Sequence, residues 1–194
     1  MLKVLTVIAG GLLLAGCSIV ATPFQVRDVQ NMTVASAPAT GTAFTQALFS
    51  EYQAAAKNEA MVENNWVDAV FFVTKGNKAA AGTAVDPEMA ADWKGISPAA
   101  ATELGGARAR LMGYFAAGTR ERLPAASARA EVDFDCWVEE ESEGGDDTGC
   151  KTAFLATEKE LQAPAPAPVA AAPKIVKTFI VYFDLNKADI TPAS

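Results

Sequence analysis

The sequence predicts a mainly α-helical protein, in which helical hairpins or a small helical bundle lie between flexible linkers and precede one terminal β-strand. Apolar residues recur with a helical period between residues 42 and 162, and Pro and Ala dominate residues 163–173. A run rich in β-branched and aromatic residues follows at 175–184. With 194 residues, the chain is long enough for one modest domain with tails and too short for a large multi-lobed enzyme.

The composition excludes several classes of function. The chain has 23 Asp and Glu against 16 Lys and Arg, for a net charge of -7, and it contains no basic block. Such a chain repels phosphate backbones, so we expect no nucleic-acid partner. The sequence also has no His, which removes His-dependent catalytic triads and the usual zinc ligand sets.

The first 16 residues are typical of an export signal. A single Lys3 precedes an uncharged apolar run that ends at Gly16, and polar residues follow at once. This run is shorter than the about 20 apolar residues that a membrane-spanning helix needs.

The end of that run, Leu14-Ala15-Gly16-Cys17, resembles the lipobox of bacterial lipoproteins. The resemblance implies cleavage before Cys17 and acylation of that cysteine. Ser18 resembles the residue of lipoproteins that are sorted to the outer membrane. The alternative is ordinary cleavage nearby, which leaves Cys17 free. Residues 17–41 are rich in Ala, Thr, Ser and Pro and have no sustained period, which predicts a lipidated N-terminus on a flexible stalk.

A helical hairpin is predicted at the start of the region 42–162. Thr42 can cap the first helix, and the second helix begins after Asn64-Asn65 and ends just before Gly82. The apolar stripe of the first helix consists of Phe44, Leu48, Tyr52, Ala55 and Ala56.

Three more helices are predicted after a long polar connection at 83–95. Ser97-Pro98 starts the third helix, Pro124 starts the fourth, and the fifth runs from Thr148 through Leu161. Together these helices make residues 42–162 a helical domain.

The cysteine count is consistent with an oxidising compartment. Once Cys17 is assigned to a lipid, Cys136 and Cys150 remain as a pair that can form a disulfide between the fourth and fifth helices. The alternative is a redox or metal site. Two thiols with no His and no third thiol form a poor metal site, so we expect neither a metal site nor a cofactor.

The C-terminal part begins with an abrupt change in composition. Residues 163–173 form a Pro/Ala spacer, which would extend about 34 Å as polyproline II. The strand that follows is apolar on both faces and therefore predicts an inner strand of a sheet.

Residues 179–192, Phe-Ile-Val-Tyr-Phe-Asp-Leu-Asn-Lys-Ala-Asp-Ile-Thr-Pro, resemble the opening of the OmpA-like peptidoglycan-binding domain. With the lipobox and the spacer, the chain resembles OmpA-family outer-membrane lipoproteins of the peptidoglycan-associated type. In that family the domain is an α/β sandwich, and an Asp and an Arg further along the domain hold the stem peptide. Residues 174–194 match only the start of such a domain, so the sequence predicts an incomplete one. Asp184 is the only candidate for a peptidoglycan-binding residue, and the alternative for it is a strand-end or cap carboxylate.

Two functions follow as expectations. The first is a non-covalent tether between the outer membrane and peptidoglycan, lipid-anchored and facing the periplasm. The second is a helical interaction module for another envelope protein, which would act through Trp66, Trp93 or the acidic residues 139–147. The alternative is that the tryptophans belong to the core and that the acidic residues form a solvated loop. We expect no enzyme, because Glu139, Glu140 and Glu141 are consecutive and point to different sides of a helix.

Overall fold

The computed structural model describes residues 21–36, 40–144 and 149–162. The predicted signal peptide, Cys17, the Pro/Ala spacer and the predicted C-terminal strand all lie outside these residues. Within the described ranges the protein is mainly helical and has no β-strand. No helix among them is long and apolar enough to cross a membrane.

Seven α-helices form the described part of the chain. A π-helical turn at Glu59–Glu63 follows α2, and a 3-10 turn at Ala90–Asp92 lies in the connection between α3 and α4. The α-helices are α1 (Pro23–Thr33), α2 (Ala43–Asn58), α3 (Trp66–Ala80), α4 (Pro98–Ala116), α5 (Thr119–Arg122), α6 (Pro124–Glu143) and α7 (Gly149–Gln162).

The first helix corrects the prediction of a flexible stalk over residues 17–41, which is wrong for Pro23–Thr33. Thr22 accepts a hydrogen bond from the backbone N–H of Gln25, whose side chain accepts one from the N–H of Thr22. This capping box satisfies two free N–H groups at the helix start, and Pro23 supplies a suitable backbone angle there. The composition of the segment favours a linker, and the capping box that starts the helix involves only Thr22 and Gln25.

Packing explains why α1 is stable although it is only 11 residues long. Met32 is buried against α3 at Gly76, where a Cβ atom would lie 2.0 Å from the Cε atom of Met32. The side chain of Gln53, on α2, donates hydrogen bonds to the carbonyl oxygens of Met32 and Ala35 at 2.6 and 2.8 Å. The helix is therefore part of the domain and does not serve as a spacer.

The α2–α3 hairpin forms as the sequence predicts. Thr42 caps α2 through a reciprocal pair of hydrogen bonds with Thr45, and α3 begins at Trp66. Asn64 adopts a left-handed conformation with φ 58° in the reversal between the helices. Gly82, also at positive φ, follows the end of α3.

Two hydrophobic clusters meet at α6. One face of α6 contributes Ala128 and Val132 to the cluster formed by α1, α2 and α3. Another face packs against α4 and α7, where the Phe134 ring lies 5.5 Å from the ring centroid of Phe154 and 6.2 Å from that of Trp137. Because α6 is shared by both clusters, its polar side chains are also enclosed.

Candidate functional site

A row of four carboxylates runs along α6 at intervals of four residues: Glu131, Asp135, Glu139 and Glu143. Residues four apart lie on the same side of an α-helix, so these side chains follow one another along its length. Glu131 and Asp135 are 0% exposed and Glu139 is 2% exposed, whereas Glu143 is exposed at the helix end. Buried carboxylates are unusual unless they are paired, which makes this row the main polar feature of the domain.

Asp135 lies at the centre of a buried ionic network. Its Oδ2 atom lies 2.6 Å from both the Nζ atom of Lys75 on α3 and the hydroxyl oxygen of Tyr52 on α2. Its Oδ1 atom accepts a hydrogen bond from the backbone N–H of Glu88 at 2.8 Å. One carboxylate therefore joins three helices and the connection between α3 and α4.

Lys75 anchors that connection to the helices. It is 5% exposed, and its Nζ atom donates to the carbonyl oxygen of Asp86 and to the carboxylate of Glu88, both at 2.9 Å. The indole N–H of Trp93 donates to the other oxygen of Glu88 at 3.0 Å. The predicted polar connection is thus held by a charged core rather than left as a free loop.

Glu131 pairs with Arg120 at the other end of the network. The guanidinium donates to Glu131 at 3.0 Å and to the carbonyl oxygen of Val85 at 3.0 Å. It also lies over the rings of Phe115 and Phe44, at 4.0 and 4.8 Å from their centroids. These contacts combine ion pairing with cation–π attraction.

Burial shifts the protonation equilibria of the network. Burial, together with the charge of Asp135, raises the pKa of Glu131 to about 8. Burial also raises the pKa of Asp135, against the opposing effect of the Lys75 ammonium. For Lys75, burial lowers the pKa, but the Asp135 and Glu88 carboxylates outweigh it and raise the pKa overall. These groups are enclosed between packed helices and are hydrogen-bonded to one another, so the network holds α2, α3 and α6 together.

The other half of the α6 row belongs to a second cluster, which has a different charge balance. One carboxylate oxygen from each of Asp68, Glu139 and Glu143 lies within 4.8 Å of the others. Glu59, at the end of α2, is 3% exposed and interacts electrostatically with this group. Burial and then neighbouring carboxylates raise the pKa of Glu139 to about 9 and that of Glu59 to about 8. We name Glu59, Asp68, Glu139 and Glu143 the acidic cluster.

The structure brings together one pair of the residues that the sequence singled out. The Cα atoms of Cys136 on α6 and Cys150 on α7 are 5.6 Å apart and the cysteines are joined, consistent with the predicted disulfide. Cys17 and Asp184 lie outside the described residues. Trp66 and Trp93 are both partly buried against the hydrophobic clusters.

The sequence interpretation missed both charged clusters. It considered Glu139, Glu140 and Glu141 as neighbours in the chain, whereas the informative signal is the spacing of four that links Glu131, Asp135, Glu139 and Glu143. The partners Tyr52 and Lys75 are 83 and 60 residues away from Asp135, so no local pattern indicates them.

The part of the chain that the structure describes is thus a helical domain with one disulfide and two clusters of buried ionisable side chains. Comparison of the chain with protein-family models, with curated proteins and with solved structures gives no match.

Proposed function

We propose that this chain is an outer-membrane lipoprotein that connects the membrane to peptidoglycan non-covalently through an OmpA-like domain. The observation that carries the proposal is the occurrence of two motifs at opposite ends of one chain. Leu14-Ala15-Gly16-Cys17 provides the lipid attachment, and residues 179–192 provide the start of the wall-binding domain. The proposal assigns no catalytic role to the helical domain.

The helical domain supports this proposal in two ways. Its cysteine pair suits an oxidising compartment such as the periplasm. Its first helix begins soon after the proposed anchor: residues 18–22 separate Cys17 from Pro23, and this stretch of chain can span at most roughly 22 Å. The helical domain would therefore sit close to the membrane, and the spacer at 163–173 would supply most of the reach toward the wall.

Lipidation is tested by metabolic labelling with radioactive palmitate in a Gram-negative host. We expect label on the chain and none on the Cys17→Ser variant, because only the Cys17 sulfur can form the thioether of the lipid anchor. Cys136→Ser with Cys150→Ser is the matched control and should keep the label. Equal labelling of the wild type and Cys17→Ser would refute the anchor.

Wall binding is tested by sedimentation with purified sacculi. We compare the product of the natural gene, the chain that ends at Ser194, and a variant that ends at Pro173. We expect only a product with a complete OmpA-like domain to sediment, and the other two to stay in the supernatant. The tether would be refuted if the protein expressed from the natural gene stayed in the supernatant, or if all three proteins behaved alike.

A second candidate function is an interaction module for another envelope protein. The observation that favours it is a group of exposed apolar side chains at one end of the α2–α3 hairpin: Met61, Val62 and Val67 are 53%, 75% and 40% exposed. A photo-cross-linking amino acid at Val62 should capture one specific partner in living cells, and the same label at exposed Lys78 should not. Identical products from both positions would count against this function.

A further inference from the structure

The first helix presents an outward face that no other part of the described residues covers. Successive residues of an α-helix are rotated by about 100°, so Phe24, Arg27 and Val34 point within about 80° of one another. This face lies opposite Val29 and Met32, which are buried in the cluster with α2 and α3. Phe24 is 69% exposed and Val34, at the end of the helix, is 83% exposed. The outward face of α1 is therefore apolar where contact with the rest of the domain does not require it.

Arg27 adds a positive charge to this face. Its guanidinium lies 5.5 Å from the centroid of the Phe24 ring, and among the described residues it forms no ion pair with a carboxylate. The other charged residue of α1, Asp28, lies at the edge of the face, beside a cavity that Asn77 and Ala80 also line. An aromatic ring beside a guanidinium suits the boundary of a bilayer, because the ring enters the apolar layer while the guanidinium reaches the phosphates.

The position of the proposed anchor indicates which surface this face meets. The inference rests on the proposed function, in which a lipid on Cys17 holds the chain at the membrane. The chain between Cys17 and Pro23 can span at most roughly 22 Å, so the first turn of α1 stays within that distance of the bilayer surface. Such a short tether gives a high effective concentration, so a contact too weak to bind a free protein can orient an anchored one.

We propose that the outward face of α1 lies against the phospholipid surface, with the Phe24 ring among the upper acyl chains and Arg27 at the lipid phosphates. A cation is attracted to anionic headgroups over about 8 Å at physiological ionic strength. The chain as a whole carries a net charge of -7, so the same headgroups repel its acidic surfaces. Because Val29 and Met32 pack α1 onto its neighbours, the contact orients the helical domain and not α1 alone.

The test uses the full lipidated chain, purified in detergent and reconstituted into vesicles of phosphatidylethanolamine and phosphatidylglycerol in equal amounts. Val34→Cys introduces a thiol that carries an environment-sensitive fluorophore. Leu155→Cys is the matched control, because Leu155 is also an exposed apolar residue and lies on α7. We expect the label on Val34→Cys to shift its emission to the blue and to be quenched by spin-labelled lipids. The label on Leu155→Cys should do neither.

A second set of variants tests the two side chains themselves. Phe24→Ser combined with Arg27→Ser removes the ring and the cation, and both positions are exposed, so the packing of Met32 is retained. In this background the label on Val34→Cys should lose most of its blue shift and quenching. Met61→Ser combined with Lys78→Ser removes an exposed apolar side chain and an exposed cation elsewhere, and should leave the response unchanged.

Flotation of the vesicles distinguishes failure of the anchor from failure of the contact. A chain that does not float with the vesicles has no anchor, which overturns the proposed anchor and this inference with it. A chain that floats, but whose label on Val34→Cys responds no more than that on Leu155→Cys, keeps the anchor and overturns this inference alone. Quenching that persists without Phe24 and Arg27 also overturns it. A blue shift without quenching by lipids would indicate a protein at this face and would overturn it too.

Discussion

Replacing Asp135 with Asn should destabilise the domain more than any exposed charge change. The carboxylate of Asp135 is 0% exposed and accepts from the Lys75 ammonium, the Tyr52 hydroxyl and the Glu88 backbone N–H. An Asn side chain keeps one acceptor oxygen but turns an N–H₂ group toward one of these donors. Lys75, itself 5% exposed, would lose its closest counter-charge.

The magnitude follows from the burial of both partners. Removing one member of a buried ion pair costs about 3–5 kcal/mol, because the other charge stays buried without compensation. Lys75 keeps Glu88 as an acceptor, so we expect Asp135→Asn to cost about 3 kcal/mol. That is a large part of the about 5–15 kcal/mol that separates most folded domains from the unfolded chain.

The assay is urea unfolding of the full chain, followed by circular dichroism at 222 nm. The matched control is Glu160→Gln, which breaks an ion pair with Arg129 whose side chains are 43% and 55% exposed. This control should cost less than about 1 kcal/mol. Lys75→Met combined with Asp135→Leu removes both charges of the pair, so the double variant should cost less than the sum of the two single changes. If Asp135→Asn costs no more than Glu160→Gln, the network does not hold the fold as argued.

Three further predictions concern other parts of the domain. Burial raises the pKa of Glu131 to about 8, so the stability that protonation of this side chain contributes is fully present below about pH 4.5 and is lost as the pH rises through 8. The unfolding free energy of the wild type should therefore fall over this pH range, and Glu131→Gln should reduce the slope of that fall by up to about 1.4 kcal/mol per pH unit. Met32→Ala should lower the free energy of unfolding in urea by about 2–5 kcal/mol, whereas Met61→Ala, at an exposed position, should change it little. Equally small effects of the two variants would favour a flexible stalk. Replacing Cys136 and Cys150 with Ser should cost about 3 kcal/mol, and reduction of the wild type should cost the same, whereas no effect of either would mean that the pair is not bonded.

The starts of the main helices could be read from the sequence because they depend on neighbouring residues. Thr42 and Ser97 accept hydrogen bonds from N–H groups three residues further on, and Pro124 is the first residue of α6. Gly82 adopts the left-handed conformation that a glycine provides after a helix. These signals lie within one turn of the feature that they determine.

Other parts could not be predicted because their cause lies elsewhere in the chain. The helix α1 is stable because Val29 and Met32 are buried against helices that begin more than ten residues later. The charged network depends on contacts between Asp135 and residues 60 and 83 positions away. A sequence pattern shows that α6 carries carboxylates every fourth residue, but not which of them meet a cation.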